Sequence, residues 1–473
     1  MQVMTWDKLL NKSRLKGNPP KEEYGRSPFH ADHDKIIFSG AFRRLAKKTQ
    51  VHPLAINDHV HNRLTHSLEV SCVGRSLATR VGLALEEKKL LPTGITATDI
   101  GDIVEATCIA HDIGNPPFGH SGEEAIREWF SSEGEKFIQD LPPEFRYDLT
   151  TFEGNAQGLR VLTKAEGFQY EYGMRLTYAT LGAFIKYPYY SVDSVNKRPY
   201  TKEKKYGAFQ SEKEIFDDIQ KNNGLIKVDG ICVRHPLVYL MEAADDFCYG
   251  IIDLEDGIAM GILSWEEVFE IIKNAFSDIE IKEIEKDTSG KSDGRKISLT
   301  RGRLIQKFID AGAEAFIKNE EKFRNGEIFK NKQDLISLCP EHIKQTVQKS
   351  KDLAKNKIFN NPRKIEIEIG AYNCLAVLLN ALISTVDDFI KKKSFKDVSS
   401  KSKRILDLVG RETFPPSLNL FFERASAKEN DEYEKIKHNA KYESIMRMLD
   451  FISGMTDHYA TYLSQKFSGN NQR

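Results

Sequence analysis

The chain has no excess of charge of either sign: its 473 residues carry 69 Lys plus Arg against 69 Asp plus Glu. Nothing therefore draws the whole molecule to nucleic acid or to an anionic membrane, and an anionic ligand has to be caught by a local cluster of cations. Cysteines are few, six in all, at 72, 108, 232, 248, 339 and 374, and none forms a CxxC pair. That scatter argues against a zinc ribbon or a disulfide framework and leaves small residues for burial in a reducing compartment. Long apolar runs are missing as well. The N-terminus MQVMTWDKLLNKSRLKG lacks the apolar stretch of about 7–15 residues of a signal peptide, and no later run of about 18 residues is uninterruptedly apolar. A cytoplasmic protein with no membrane partner is the expectation. Strand patterns broken by turn signals every 8–12 residues or so are also absent, which sets a sandwich or barrel aside.

What the chain does have is helical periodicity. In HNRLTHSLEVSCVGRSLATRVG, Leu64, Leu68 and Cys72 step by four along one helical face, and Ile100, Val104 and Cys108 do so in ATDIGDIVEATCIAHD. The fold class is all-α. Residues 131–150 and 187–208, rich in Pro, Tyr and charge, are expected as loops over a helical base. KDTSGKSDGRK at 286–296 contains two glycines and no apolar residue, a candidate flexible boundary. It suggests an N-terminal arm (1–35), a catalytic core (36–285) and a C-terminal helical region (297–473) packed on that core.

Histidines and acids supply the chemistry. His66 follows Arg63 by three residues, so both project from one helical face. His111 and Asp112, in AHDIGNPPFGH (110–120), stand where Gly114, Pro116 and Pro117 must stop a helix. Ser121 and Glu124 have capping-box spacing for the next helix, which puts His120 before the cap and Glu123 in the first turn, a setting suited to phosphate. Asp245, Tyr249 and Asp253 share a face, with Asp246 turned away by roughly 100°. Mixed imidazole and carboxylate donors with open positions suit a divalent metal that works on phosphate. Each piece has a plainer reading: a histidine near a helix end is commonly a capping residue, and an acidic face is commonly solvated. Apolar flanks favour a partly buried carboxylate face in need of a partner.

Assembled, the chain resembles the HD superfamily of metal-dependent phosphohydrolases, and within it the deoxyguanosinetriphosphate triphosphohydrolase (dGTPase) family. The motifs that carry the resemblance are IIFSGAFRRLAKKTQV (36–51), RLTHSLEV (63–70), HDIGNPPFGHSGE (111–123), FEGNAQGLRVL (152–162), LTYATLGAFIKYP (176–188) and ISGMTD (452–457), which span most of the chain. The resemblance implies an HD-domain helical core with additional C-terminal helices. It implies Mn2+ or Mg2+ held by His66, His111, Asp112 and Asp245, and a catalytic dyad of His120 and Glu123. Gln50 and Asp253 would read the deoxyribose with Tyr249 packed nearby, and Arg63, Asn155, Lys186 and Tyr187 would surround the triphosphate. The implied reaction converts a dNTP, dGTP first, and water to deoxynucleoside and tripolyphosphate. A symmetric homo-oligomer, tetramer or hexamer, is implied too, and a dNTP activator would be a further partner.

Other readings remain beside this one. Lys186 alone reads as a snorkelling lysine, Asn155 as a helix cap, and Arg43 and Arg44 as ion-paired or phosphate-binding residues. His52, His59 and His61 depart from the family pattern and read as surface imidazoles. A different HD nucleotidase or phosphodiesterase is the alternative enzyme. A nucleotide- or single-strand-binding regulator is the alternative without catalysis, through KRPYTKEKKYG with its interleaved tyrosines.

Overall fold

The computed structural model describes residues 2–17, 24–50, 61–166, 172–193, 205–360, 362–424 and 430–470. Among these, 23 α-helices and one short hairpin (Lys227–Val228 with Ile231–Cys232) make up the regular structure, so the chain is all-α as its periodicity implies. The helices that position the site are α1 (Arg63–Glu87), α2 (Ala97–Ala110), α3 (Gly119–Ser131), α4 (Pro143–Thr150), α5 (Gly154–Arg160), α6 (Tyr178–Phe184), α7 (Val238–Ala259), α8 (Asp293–Lys318), α9 (Glu341–Leu353), α10 (Pro362–Lys392), α11 (Asp431–Ser453) and α12 (Asp457–Phe467).

Three apolar cores hold them, the third joining Ile109 of α2, Leu159 of α5 and Leu181 and Phe184 of α6 to Phe42 and Ile113. The first joins Val70, Leu77 and Val81 of α1, Ile100, Val104 and Cys108 of α2 and Ala244, Phe247 and Ile251 of α7 to Leu304 and Phe308 of α8 and Ile343 and Val347 of α9. The second joins Ile126, Trp129 and Phe130 of α3 to Leu375, Leu378 and Leu382 of α10, Ile445 and Leu449 of α11 and Leu463 of α12. The 286–296 stretch contributes only the turn 289–292, because its two ends lie in the Asp278–Thr288 helix and in α8.

The face of α1 that buries is not the one marked by Leu64, Leu68 and Cys72. Leu68 is 38% exposed and Cys72 is exposed, the one exception among six otherwise buried cysteines. Val70, Val73, Leu77 and Val81 bury on the inner face together with small residues: a Cβ on Gly74 would stand 2.5 Å from Cys108 Sγ, so glycine lets α1 and α2 approach closely there. Residues 131–150 are likewise not a loop. They hold the Glu135–Ile138 helix and α4, in which Pro143 occupies the first helical position, where its missing N–H is no loss. The described parts of 187–208 are free of helix, as expected.

One helix, Lys364–Lys392 within α10, is long and apolar enough to cross a membrane by length and composition, and half of its apolar window is buried inside the protein. It packs against α3, α11 and α12.

The turn after α2 is set by close backbone contact. A Cβ on Gly114 would lie 2.1 Å from Gly158 N and 2.2 Å from Gly154 O, both on α5. Backbone cannot yield as a side chain can, so Gly114→Ala should cost about 1–3 kcal/mol or more and lower the thermal midpoint. An unchanged midpoint in a calorimetric scan would contradict this packing.

Candidate functional site

The site is built where α1 begins, α2 ends and α7 passes between them. Asn62 caps α1, accepting hydrogen bonds from Leu64 and Thr65 N–H at 3.0 Å each, and so fixes the first turn that carries Arg63 and His66. At the end of α2, His111 Nδ1–H donates to the Cys108 carbonyl at 2.6 Å, which leaves Nε2 facing the cleft. His66 Nε2 lies 3.0 Å from Asp245 Oδ1, and His111 Nε2 lies 3.6 Å from both Asp245 Oδ1 and Asp112 Oδ2. One donor atom each from His66, His111 and Asp112 falls within 4.8 Å of the others. The four residues read from three distant motifs are therefore one cluster. Asp246 is not part of it: it turns to Lys351 on α9 at 2.6 Å.

Electrostatics keep these carboxylates ready as donors. Burial alone would raise Asp112, but Arg63, at 2.7 Å, and then His111 and His66 reverse this and hold it at about 2. Burial opposes ionisation of Asp245 too, and His111 and His66, with Lys186 behind them, hold it far below the usual carboxylate range. Asn115 Nδ2–H donates to Asp112 Oδ1 at 2.5 Å and orients it. Two imidazole nitrogens and two ionised carboxylates form a donor set that suits a divalent ion, and the cluster fits one.

His120 and Glu123 stand on α3, but the helix starts earlier than the Ser121 cap suggested. Its cap position is Phe118, held in the left-handed region at φ 63°, and helical residues run from Gly119. The Phe118 N–H donates to Asp457 Oδ1 at 2.9 Å, so a carboxylate 339 residues away holds the residue that precedes the helix, and no side chain caps its first turn among the described residues. His120 thus lies inside the first turn and Glu123 in the second. No hydrogen bond joins the two among the described residues, and their coupling is through charge. Desolvation lowers the His120 pKa, Lys205 and Arg63 add to that, and Glu123 opposes it. Glu123 is 1% exposed, accepts from Gly154 N–H at 3.0 Å, and contacts Arg127 at 3.1 Å and Lys205 at 3.4 Å. Burial resists its charge, and Lys205, His120 and Arg127 restore it.

Of the residues assigned to substrate, Lys186, Tyr249 and Asp253 lie close enough to Asp245 to feel its charge. Lys186 Nζ lies 3.3 Å from Glu242, which is no snorkelling arrangement, and 6.0 Å from the centre of the Tyr187 ring. Asn155 does not cap α5: Glu153 is the cap, and it accepts from Asn155 Nδ2–H at 2.6 Å. The Tyr249 ring packs 5.9 Å from Phe359. Asp253 is 1% exposed, and burial, then Asp256 and Asp245, push its carboxyl well above the usual range. Asp253 Oδ2 and Gln50 Oε1 are both buried and without a partner among the described residues. Arg44 is ion-paired, at 3.4 Å from Glu166.

Three further residues escaped sequence reading. Lys205, from a stretch read as a solvated loop, reaches Glu123 and, at 3.0 Å, Glu153. Glu153 is fully buried, and burial together with the Glu123 charge pushes it up to about 7. Lys48 donates from its buried ammonium to the carbonyls of Asn115 (2.6 Å) and Ser453 (2.5 Å). No local signal marks them, since each acquires its partner by long-range contact. His52 and His59 lie outside the described residues. His61 is not a surface imidazole: its Nδ1 is 2.7 Å from Asp256 and its Nε2 3.3 Å from Glu69, and against the cost of burial these two acids raise it to about 10.

Two outcomes test this arrangement. Asp245→Asn should weaken Mn2+ binding by about 100-fold or more, since even outer partners of a ligand are worth about 10–100-fold. Asp246→Asn should change it far less, and equal losses in calorimetric titration would remove Asp245 from the cluster. His61 has a folded-state pKa above its unfolded value of about 6.5, so its stabilising effect is complete below that pH and is lost as pH rises through about 10. His61→Phe should accordingly lower the thermal midpoint more at pH 6 than at pH 10.5.

The comparisons agree with this geometry. The HD domain family model matches residues 63–155, from Arg63 to Asn155. The chain is 43% identical over 471 residues to a deoxyguanosinetriphosphate triphosphohydrolase-like protein of Pseudomonas aeruginosa, covering 98% of this chain and 99% of the relative. A similarly described Synechocystis protein is 36% identical over 478 residues, with 98% and 99% covered. A deoxyguanosinetriphosphate triphosphohydrolase of Klebsiella pneumoniae is 30% identical over 510 residues, with 95% and 96% covered. With identity sustained over nearly the whole length of each, and with the HD cluster assembled as described, the chain belongs to the deoxyguanosinetriphosphate triphosphohydrolase family of HD-domain hydrolases.

Proposed function

We propose that this hydrolase converts a deoxynucleoside triphosphate, dGTP first among them, and water to the deoxynucleoside and inorganic tripolyphosphate. The observation that carries the reading is the convergence of His66, His111, Asp112 and Asp245 beside Arg63, with the His120 and Glu123 pair on the adjoining helix. When bound there, Mn2+ or Mg2+ supplies Lewis acidity at the α-phosphate and acidifies water. The protein's own groups do the rest. Arg63 and Lys186 neutralise phosphate oxygens, and Asn155 and Tyr187 complete the phosphate surround. His120, whose lowered pKa favours the neutral imidazole, takes the proton of the attacking water and passes it to O5′ as the bond between α-phosphorus and O5′ breaks. Glu123, kept ionised by its cations, stabilises the imidazolium in between.

The sugar end rests on two orphaned atoms. Gln50 Oε1 and Asp253 Oδ2 are buried polar groups without a partner among the described residues, and such groups are costly unless a ligand satisfies them. A deoxyribose hydroxyl is the ligand proposed. The resemblance extends the proposal to a tetramer or hexamer, with a second dNTP as a further partner that activates, and the sequence composition extends it to a cytoplasmic location and to a catalytic core and C-terminal region divided near 286–296.

Ion chromatography of products decides the reaction: tripolyphosphate should appear in step with deoxynucleoside, and pyrophosphate or single phosphate from every dNTP would overturn it. His120→Ala should lower kcat by about 10²–10⁴-fold with Mn2+ binding retained. Equal turnover of ribonucleotides would remove Gln50 and Asp253 as sugar readers.

A further inference from the structure

Arg234 belongs to no motif singled out in the sequence, yet it is 1% exposed and among the largest fully buried side chains. A buried guanidinium is tolerated only where its hydrogens and charge are matched, so what it is matched to is informative. Its Nε–H donates to the Lys186 carbonyl at 2.8 Å. Its Nη1–H donates to Glu242 at 2.7 Å. Its guanidinium carbon lies 5.9 Å from the Tyr187 ring centre and 5.3 Å from that of Tyr239. Glu242 in turn lies 3.3 Å from the Lys186 ammonium. Lys186 is thus gripped at both ends, at its carbonyl by Arg234 and at its ammonium by the carboxylate that Arg234 holds.

The location gives that grip its meaning. Lys186 and Tyr187 follow the end of α6 at Phe184, where no helix constrains the backbone. Glu242 is one turn before Asp245 on α7. We propose that Arg234 is a positioning residue for substrate, setting where the Lys186 ammonium stands relative to Asp245. The inference rests on the proposed role of Lys186 at the triphosphate. Burial opposes the charge on both Lys186 and Glu242, but Glu242 keeps the lysine cationic, and Arg234 with Lys186 holds Glu242 down at about 2. A lysine in place of Arg234 could satisfy one of the two acceptors but not both in this planar geometry.

The test is a double-mutant cycle. Lys186→Met, Arg234→Met and the double variant are compared by KM for dGTP, by calorimetric affinity for a non-hydrolysable deoxynucleoside triphosphate analogue, and by thermal midpoint. Each single change should weaken binding about 10–100-fold, the scale of a hydrogen bond to a charged group. The double variant should be no weaker than Lys186→Met alone, because Arg234 acts through Lys186. Additive losses, or an Arg234→Met effect on the midpoint with no change in KM, would overturn the positioning role. If Lys186→Met itself leaves KM and affinity unchanged in an active enzyme, the triphosphate reading of Lys186 fails, and the Arg234 role with it. Glu242→Gln, which keeps the shape and removes the charge, repeats the cycle should Arg234→Met not fold, and should show the same coupling to Lys186.

Discussion

Asp245, a half-buried carboxylate set between two imidazoles, is the group that organises this protein. Its nearest partner is His66 at 3.0 Å, with His111 at 3.6 Å, so it ties α7 to the start of α1 and the end of α2. Neither helix end could drift without parting Asp245 from one of its imidazole partners. The small residues on the inner face of α1 serve the same arrangement. Ser67, Ser71 and Gly74 are all buried there, and the close approach of α1 and α2 keeps His66 and His111 within reach of one oxygen. The same four groups that satisfy one another are a donor set for a divalent ion, so packing and function place the same requirement on these positions.

A second junction explains why the distant C-terminal motif belongs to the site. Asp457, at the start of α12, accepts from Thr49 N–H at 2.9 Å and from Phe118 N–H at 2.9 Å. Lys48 joins Ser453 to Asn115, and Asn115 holds Asp112. The start of α3 and the turn after α2 are therefore braced by residues more than 300 positions downstream. Burial of Lys48 lowers it to about 7, and its two carbonyl contacts make it a strut between main chains.

Much of the centre was legible because its chemistry is local. RLTHS sets His66 one turn from Arg63, HD followed by glycine and proline must end a helix, and the spacing of Asp245, Tyr249 and Asp253 marks one face of α7. What misled or stayed silent did so for physical reasons. The step-of-four rule took Leu68 and Cys72 for the inner face because the period alone does not choose between neighbouring apolar rows, and the row of Val70, Val73, Leu77 and Val81 is the one that buries. Ser121 looked like a cap because its spacing to Glu124 is a local signal, whereas the helix begins two residues earlier, after Phe118, whose N–H the distant Asp457 holds. Pro-rich 131–150 looked like a loop because proline ends helices more visibly than it begins them. His61 looked solvated because nothing nearby reveals Asp256.

Helical class, the end of α2, and which residue types gather for metal and phosphate are properties of residues within a turn or two of each other, and the sequence by itself determined them. The partners of Glu123, Lys205, Glu153, Lys48 and Arg234 are chosen by contacts between segments tens to hundreds of residues apart. Only the folded chain decided those, because a side chain's charge is known from its type but the group that balances it, once both leave water, is known only from where the backbone brings it.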